Sequence, residues 1–147
     1  MPHIEEHIHI DRPVPDVFTF ATDPNNQTLI ASNMISYEMD GPMEKGSLSE
    51  GVTKVAGRRV PWTSEVTEFE QDRRVEIRSL EAPMDFHITW TYEPDGEGTR
   101  VGFVQEVPEL GGFFGRLGDA VVTKMYSRDV QTNLGNLKVL LEEGAGR

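Results

Sequence analysis

Three of the four histidines in this chain lie within its first ten residues, MPHIEEHIHI, at His3, His7 and His9. Side chains two positions apart on a strand share a face, so His7 and His9 form the beginning of a metal site. Carboxylates offer a second chemistry. Glu65, Glu68, Glu76, Asp85 and Glu106 would serve as acids or bases only inside a pocket that shifts their pKa. Other chemistries are absent. The chain has no cysteine, which removes disulfides, thiol nucleophiles and thiolate ligands. No HExxH or GxSxG occurs, and GGFFGRLG and DGEGTR lack the spacing and the lysine of a phosphate loop. What the histidines and carboxylates do therefore depends on the elements that carry them.

His3 to Ile10 alternates strictly, with Ile4, Ile8 and Ile10 on one face and the histidines with Glu5 on the other. That is the pattern of a strand with one wet face. In DRPVPDVFTFATDP, Pro15 suits the first turn of a short helix, and Asp16 places a carboxylate at its positive end. Asp23-Pro24 reads as an N-cap pair opening a second short helix that reaches about Ile30.

Alternating runs separated by turn signals follow, which predicts an antiparallel meander. Ile35, Tyr37 and Met39 share a phase, as do Val60, Trp62, Ser64 and Val66. Val75, Ile77 and Ser79 come next, then Phe86, Ile88, Trp90 and Tyr92, then Val101, Phe103 and Gln105. Two-residue turns would set Trp62 opposite Ser79, Val66 opposite Val75, Ile77 opposite Ile88, and Trp90 opposite Phe103. All these phases then fall on one face, and a one-residue slip would turn a strand inside out. Leu48 to Val55 joins less cleanly, with Ser49, Gly51, Thr53 and Val55 inward, so a bulge or an edge is expected there. Phe69 falls in the outer phase.

From Phe114 the apolar spacing changes to threes and fours through Leu117, Val121, Met125 or Tyr126, Val130, Leu134, Leu137 and Leu141. This predicts one long amphipathic helix. Its glycine-rich opening, GGFFGRLGD, weakens the start, and a firm helix is expected from about Asp119. Gly135, inside it, suggests a close approach of helix to sheet. The GAGR end reads as a frayed tail.

The length of 147 residues fits one domain, 1–147, and the composition is that of a soluble globular protein. The net charge is −11, from 25 acidic and 14 basic residues. Such a surface repels phosphate backbones and anionic lipid, so no nucleic-acid partner is expected. No leader pattern or membrane-length apolar run occurs, and a cytoplasmic protein is expected by default.

A strand, two short helices, six strands and a long helix form an order that resembles the START/SRPBCC superfamily of polyketide cyclase/dehydrase and lipid-transport proteins. The resemblance runs from Ile4 to Glu142. It rests on IDRPVPDVFTFATDP, the GRRVPWTSEVTEFEQDRR hairpin, GEGTRV and NLGNLKVLLE. It implies an α+β helix-grip fold, in which a seven-stranded curved antiparallel sheet wraps a long C-terminal helix over an elongated cavity. One departure stands out: family members often carry tryptophan just after the second short helix, where this chain has Ile30. The implied strand order also sets the strand of His87 two places from the first, roughly 10 Å away at ~4.8 Å per strand. The histidines then face water, and neither a metal nor another cofactor is expected.

Within this frame, inward residues with polar atoms are informative, because a buried polar group without a partner costs roughly 1–3 kcal/mol. The candidates for ligand binding are Tyr37, Trp62, Ser64, Ser79, Phe86, Trp90, Tyr92, Phe103 and Gln105, with Tyr126 from the long helix. Flat apolar walls with a few placed polar groups suit a small hydrophobic or aromatic ligand such as a lipid, polyketide or quinone. Binding, or binding and transport, is the first reading. The alternatives are a polyketide aromatase/cyclase or dehydratase using the same cavity, and a protein-interaction module of the chaperone co-factor type. No catalytic residue is assigned. The glycines at the start of the long helix, Gly115 and Gly118 among them, offer a movable lid.

Overall fold

The computed structural model describes residues 3–55, 57–83, 85–106 and 119–144. The lid glycines and the last three residues of the tail lie outside them. β1 (His3–Ile10) leads into α1 (Val14–Ala21), then a 3-10 turn (Pro24–Asn26) and α2 (Gln27–Ile30). The Asp23 side chain accepts from the Asn25 N–H at 2.9 Å, as an N-cap should. The chain continues as β2 (Met34–Met39), β3 (Leu48–Val55), β4 (Arg58–Glu70), β5 (Arg74–Glu81), β6 (His87–Asp95) and β7 (Gly98–Glu106). It ends in α3 (Asp119–Glu143).

These strands make one antiparallel sheet in the order β1-β7-β6-β5-β4-β3-β2, so β1 and β2 are its edges. Together with α3 the sheet forms the expected α+β helix-grip fold. α3 turns Tyr126, Val130, Leu134, Leu137 and Leu141 inward, a repeat of three and four. The face they meet carries Ile4 and Ile10 of β1, Val101 and Phe103 of β7, and Val75 of β5, all buried. α1 seals one end of this layer with Val17 and Phe18. Among the described residues no helix is long and apolar enough to cross a membrane.

Most inward phases hold, but irregularities on β4 and β2 alter the register. Ile77 opposes Ile88 and Trp90 opposes Phe103, as expected, and Tyr92 opposes Val101. The β4–β5 turn is longer than expected. Gln71, Asp72 and Arg73 lie between the paired Glu70 and Arg74, with Asp72 at φ 60°. Ser79 therefore faces Ser64 rather than Trp62, and Val66 faces Ile77 rather than Val75. A two-residue shift preserves each face. A further irregularity between Val66 and Glu68 does not, and it brings Phe69 opposite Val75 and against Phe18, with ring centroids 5.3 Å apart. Phe69 thus packs inside, contrary to its phase. A second irregularity lies between Met34 and Ser36 on β2, which leaves Ile35 45% exposed although Tyr37 and Met39 point inward.

Gly135 also departs from expectation. A Cβ built there would meet nothing within 4 Å, so no close helix–sheet approach requires glycine.

Candidate ligand cavity

Away from α1, the sheet and α3 do not fill the space between them. A cavity of about 160 Å³ remains. Its floor is built from Trp62, Ser64 and Val66 of β4, Ile77 of β5, Ile88 and Trp90 of β6, and Phe103 and Gln105 of β7. Phe86, just before β6, and Tyr37, Ser49 and Thr53 of β2 and β3 form its side. Its roof is α3, through Tyr126, Asp129, Val130 and Asn133, one helical face read at steps of three and four. Gln27, Asn33 and Met34 close the edge near α2.

The aromatic walls are set edge to face. Trp90 and Phe103 have centroids 4.9 Å apart at 81°, and Trp62 and Phe86 6.3 Å apart at 90°. Tyr37 tilts onto Trp62 at 5.9 Å. The Trp62 indole can lie across β3 because residue 51 is glycine. A Cβ at Gly51 would sit 2.7 Å from the indole Cζ2 and collide with the Ser36 carbonyl oxygen.

Most polar groups around the cavity are already committed. The Ser49 and Ser64 hydroxyls are 2.7 Å apart, and Ser49 also bonds the Tyr37 hydroxyl. The Trp62 Nε1–H donates to Thr53 Oγ1 at 2.9 Å. Asn133 donates to Asn33 Oδ1 at 3.2 Å and accepts from the Ser32 N–H. Gln27 donates to the carbonyls of Ala21 and Asp23. Gln105 is 6% exposed, and its side chain lines the cavity.

Burial raises the Tyr37 pKa, and the bond to Ser49 opposes the rise. Tyr126 is raised first by burial and then by the Asp129 charge. Asp129 itself is raised by loss of solvent, with Arg128 pulling the other way. A phenol and a carboxylate one helical turn apart thus face the same space, both favouring their neutral forms more than in water.

Eight of the ten expected site residues line the cavity: Tyr37, Trp62, Ser64, Phe86, Trp90, Phe103, Gln105 and Tyr126. Ser79 and Tyr92 do not. The Ser79 hydroxyl accepts from the Phe86 N–H at 2.9 Å and so fixes the chain that presents Phe86. Tyr92 is buried against Phe18, with centroids 5.0 Å apart, beside a separate void of about 20 Å³. Asp129, Asn33 and Asn133 are not among the expected residues. A signal for Asp129 exists in the sequence, since it lies three residues after Tyr126 and one before Val130 on the inward stripe of α3.

The β1 histidines face away from α3. His3 lies 3.5 Å from Glu5, and His9 Nδ1 lies 2.9 Å from Asp95. His87 Nε2 is 3.1 Å from Glu76, whose other oxygen meets Arg74. Among the described residues no three histidines or carboxylates are arranged to hold a metal.

Comparison with known proteins agrees with the architecture. No curated protein matches the chain in sequence. Among solved structures, TTHA0849 from Thermus thermophilus is 25% identical with a TM-score of 0.84, over 97% of this chain and 100% of that one. The Zhui aromatase/cyclase from Streptomyces sp. R1128 is 19% identical with a TM-score of 0.76, over 98% and 97%. A START superfamily protein from Mycobacterium smegmatis is 10% identical with the same TM-score, over 96% and 97%. These last two likenesses are of fold. Residues 1–142 match the family described as polyketide cyclase / dehydrase and lipid transport, and the chain belongs to that family.

Proposed function

We propose that this protein binds a small, largely apolar ring compound in the cavity beneath α3. The observation that carries this reading is the cavity itself, walled by Trp62, Phe86, Trp90 and Phe103 and reached by the polar side chain of Gln105. An amide at the edge of an apolar space can orient a ligand's polar group by hydrogen bonding. The volume bounds the ligand. An apolar cavity of about 150 Å³ holds a benzene-sized molecule, whereas drug-sized ligands occupy roughly 300–1,000 Å³. A long-chain lipid or a polycyclic polyketide would require the walls to part.

Trp62 and Trp90, the two tryptophans of the chain, both line the cavity, so their fluorescence reports on its contents. Titration with single-ring compounds is expected to change it saturably, and Gln105→Leu is expected to weaken binding of those with a hydrogen-bonding substituent. Native mass spectrometry of the purified protein would identify a retained ligand. Absence of any saturable change across a panel of one- and two-ring compounds would overturn the reading.

A second reading, an aromatase/cyclase or dehydratase, is favoured by the Tyr126–Asp129 pair on the cavity roof. A phenol and a carboxylate set together can donate and accept protons around an enclosed carbonyl compound. Turnover of a short polyketide mimic that is lost in both Tyr126→Phe and Asp129→Asn would support it.

A further inference from the structure

Asp129 brings a carboxylate to a cavity whose other described lining residues are uncharged, with Trp62, Phe86, Trp90 and Phe103 among them. Among the described residues no lysine, arginine or histidine lines that cavity, and the cation acting on Asp129 is Arg128 outside it. Arg128, its neighbour on α3, is exposed. Trp62, Trp90 and Phe103 line the same cavity, and an ammonium group that meets a ring face there is attracted to it. The chain's net charge of −11 acts in the same sense at longer range.

We propose that the cavity selects a ring compound carrying a protonated amine, with the ammonium group on Asp129 and the ring between the aromatic walls. This inference rests on the cavity being a ligand site. It adds the sign of the ligand's charge and the residue that reads it. A carboxylate-bearing ligand of the same size would meet Asp129 with unfavourable charge. A neutral alcohol would keep the apolar contacts and lose the ion pair. Tyr126, buried and one turn from Asp129, gives the ammonium a second oxygen to donate to.

Three probes of nearly equal size separate these terms: benzylamine, benzyl alcohol and benzoate, titrated at neutral pH with tryptophan fluorescence as the readout. Benzylamine is expected to bind about tenfold more tightly than benzyl alcohol, the size of one partly desolvated ion pair, and benzoate more weakly than both. Asp129→Asn and Asp129→Ser, each checked for an unchanged melting temperature within a few degrees, should reduce the amine-to-alcohol ratio to about one to two. Glu97→Gln, which removes the same charge from the β6–β7 turn, should leave the ratio intact. The proposal is overturned if benzyl alcohol or benzoate matches benzylamine, or if the preference survives both Asp129 variants. In either case binding itself would still stand. If none of the three binds, this inference is overturned, while the ligand-site reading falls only if the wider panel of one- and two-ring compounds also fails to bind.

Discussion

The two ends of the layer between sheet and α3 are built from the same elements but different residue types. At the α1 end, Leu137 and Leu141 of α3 meet Ile10, Val17, Phe18 and Val101, each 1% exposed or less. At the other end, the same helix presents Tyr126, Asp129 and Asn133, and the strands answer with Ser49, Ser64 and Gln105. The first end is closed by aliphatic packing. The second keeps about 160 Å³ of space and polar atoms that core packing does not need. One end carries stability, and the other gives some of it up to keep that space open.

The largest effect should come from breaking the packed end. Leu137 is 0% exposed, and Leu137→Ala leaves a cavity where no ligand can compensate. The expected loss is about 2–5 kcal/mol in chemical denaturation, with ring-compound binding at the far end little changed in the folded fraction. A loss below about 1 kcal/mol would mean that this end is not the stable half.

Gln105→Leu sharpens the contrast from the opposite side. Replacing the cavity-lining amide by an apolar group of similar size should leave stability within about 1 kcal/mol while weakening the binding of polar-substituted rings. If the variant is instead less stable by more than this, the amide already has a partner in the free protein, and it no longer marks a site.

Gly135→Ala tests α3 alone. The new methyl group meets open space, and alanine costs less than glycine in a helix interior. A gain of roughly 0.5–1 kcal/mol is expected in thermal or chemical melts. Destabilisation would show that glycine serves some contact after all.

How much of this is legible in the chain follows from the strength of each local signal. The strict alternation of β1, β6 and β7 determines which side chains face inward, so Trp90 and Phe103 pair from the sequence alone. Phe69 and Ile35 escape that logic because a bulge inserts one residue, and no residue type announces it. The β4–β5 turn carries positive φ on Asp72 rather than on a glycine, so its length is not visible as a glycine signal. Tyr92 and Ser79 share the inward phase of the cavity residues, yet α1 covers one and the backbone of Phe86 holds the other. Phase states the face, while position along the strand decides between core and cavity. Asp129 is invisible to a search for acids on the strands, although it stands on the inward stripe of α3.

The smallest effect, and the one most specific to the open end, concerns pH. Burial raises the Asp129 pKa above its unfolded value, so the folded state holds the proton more tightly than the unfolded chain does. The direction of linkage follows. Below the unfolded value both states are protonated and the group costs nothing. As pH rises through the unfolded and then the folded value, the unfolded chain ionises first and stability falls. Asp129→Asn should therefore be more stable than the parent at neutral pH, by a small amount because the side chain is only partly buried, and the difference should shrink towards about pH 3. Benzylamine should narrow the difference at neutral pH by stabilising the parent more than the variant, since a bound ammonium favours the ionised carboxylate. No such penalty is expected at the packed end, where the inward stripe of α3 carries leucines alone. A variant advantage that is constant from about pH 3 to pH 7 would mean that Asp129 is not desolvated by the cavity, and the two ends would then differ in shape but not in electrostatics.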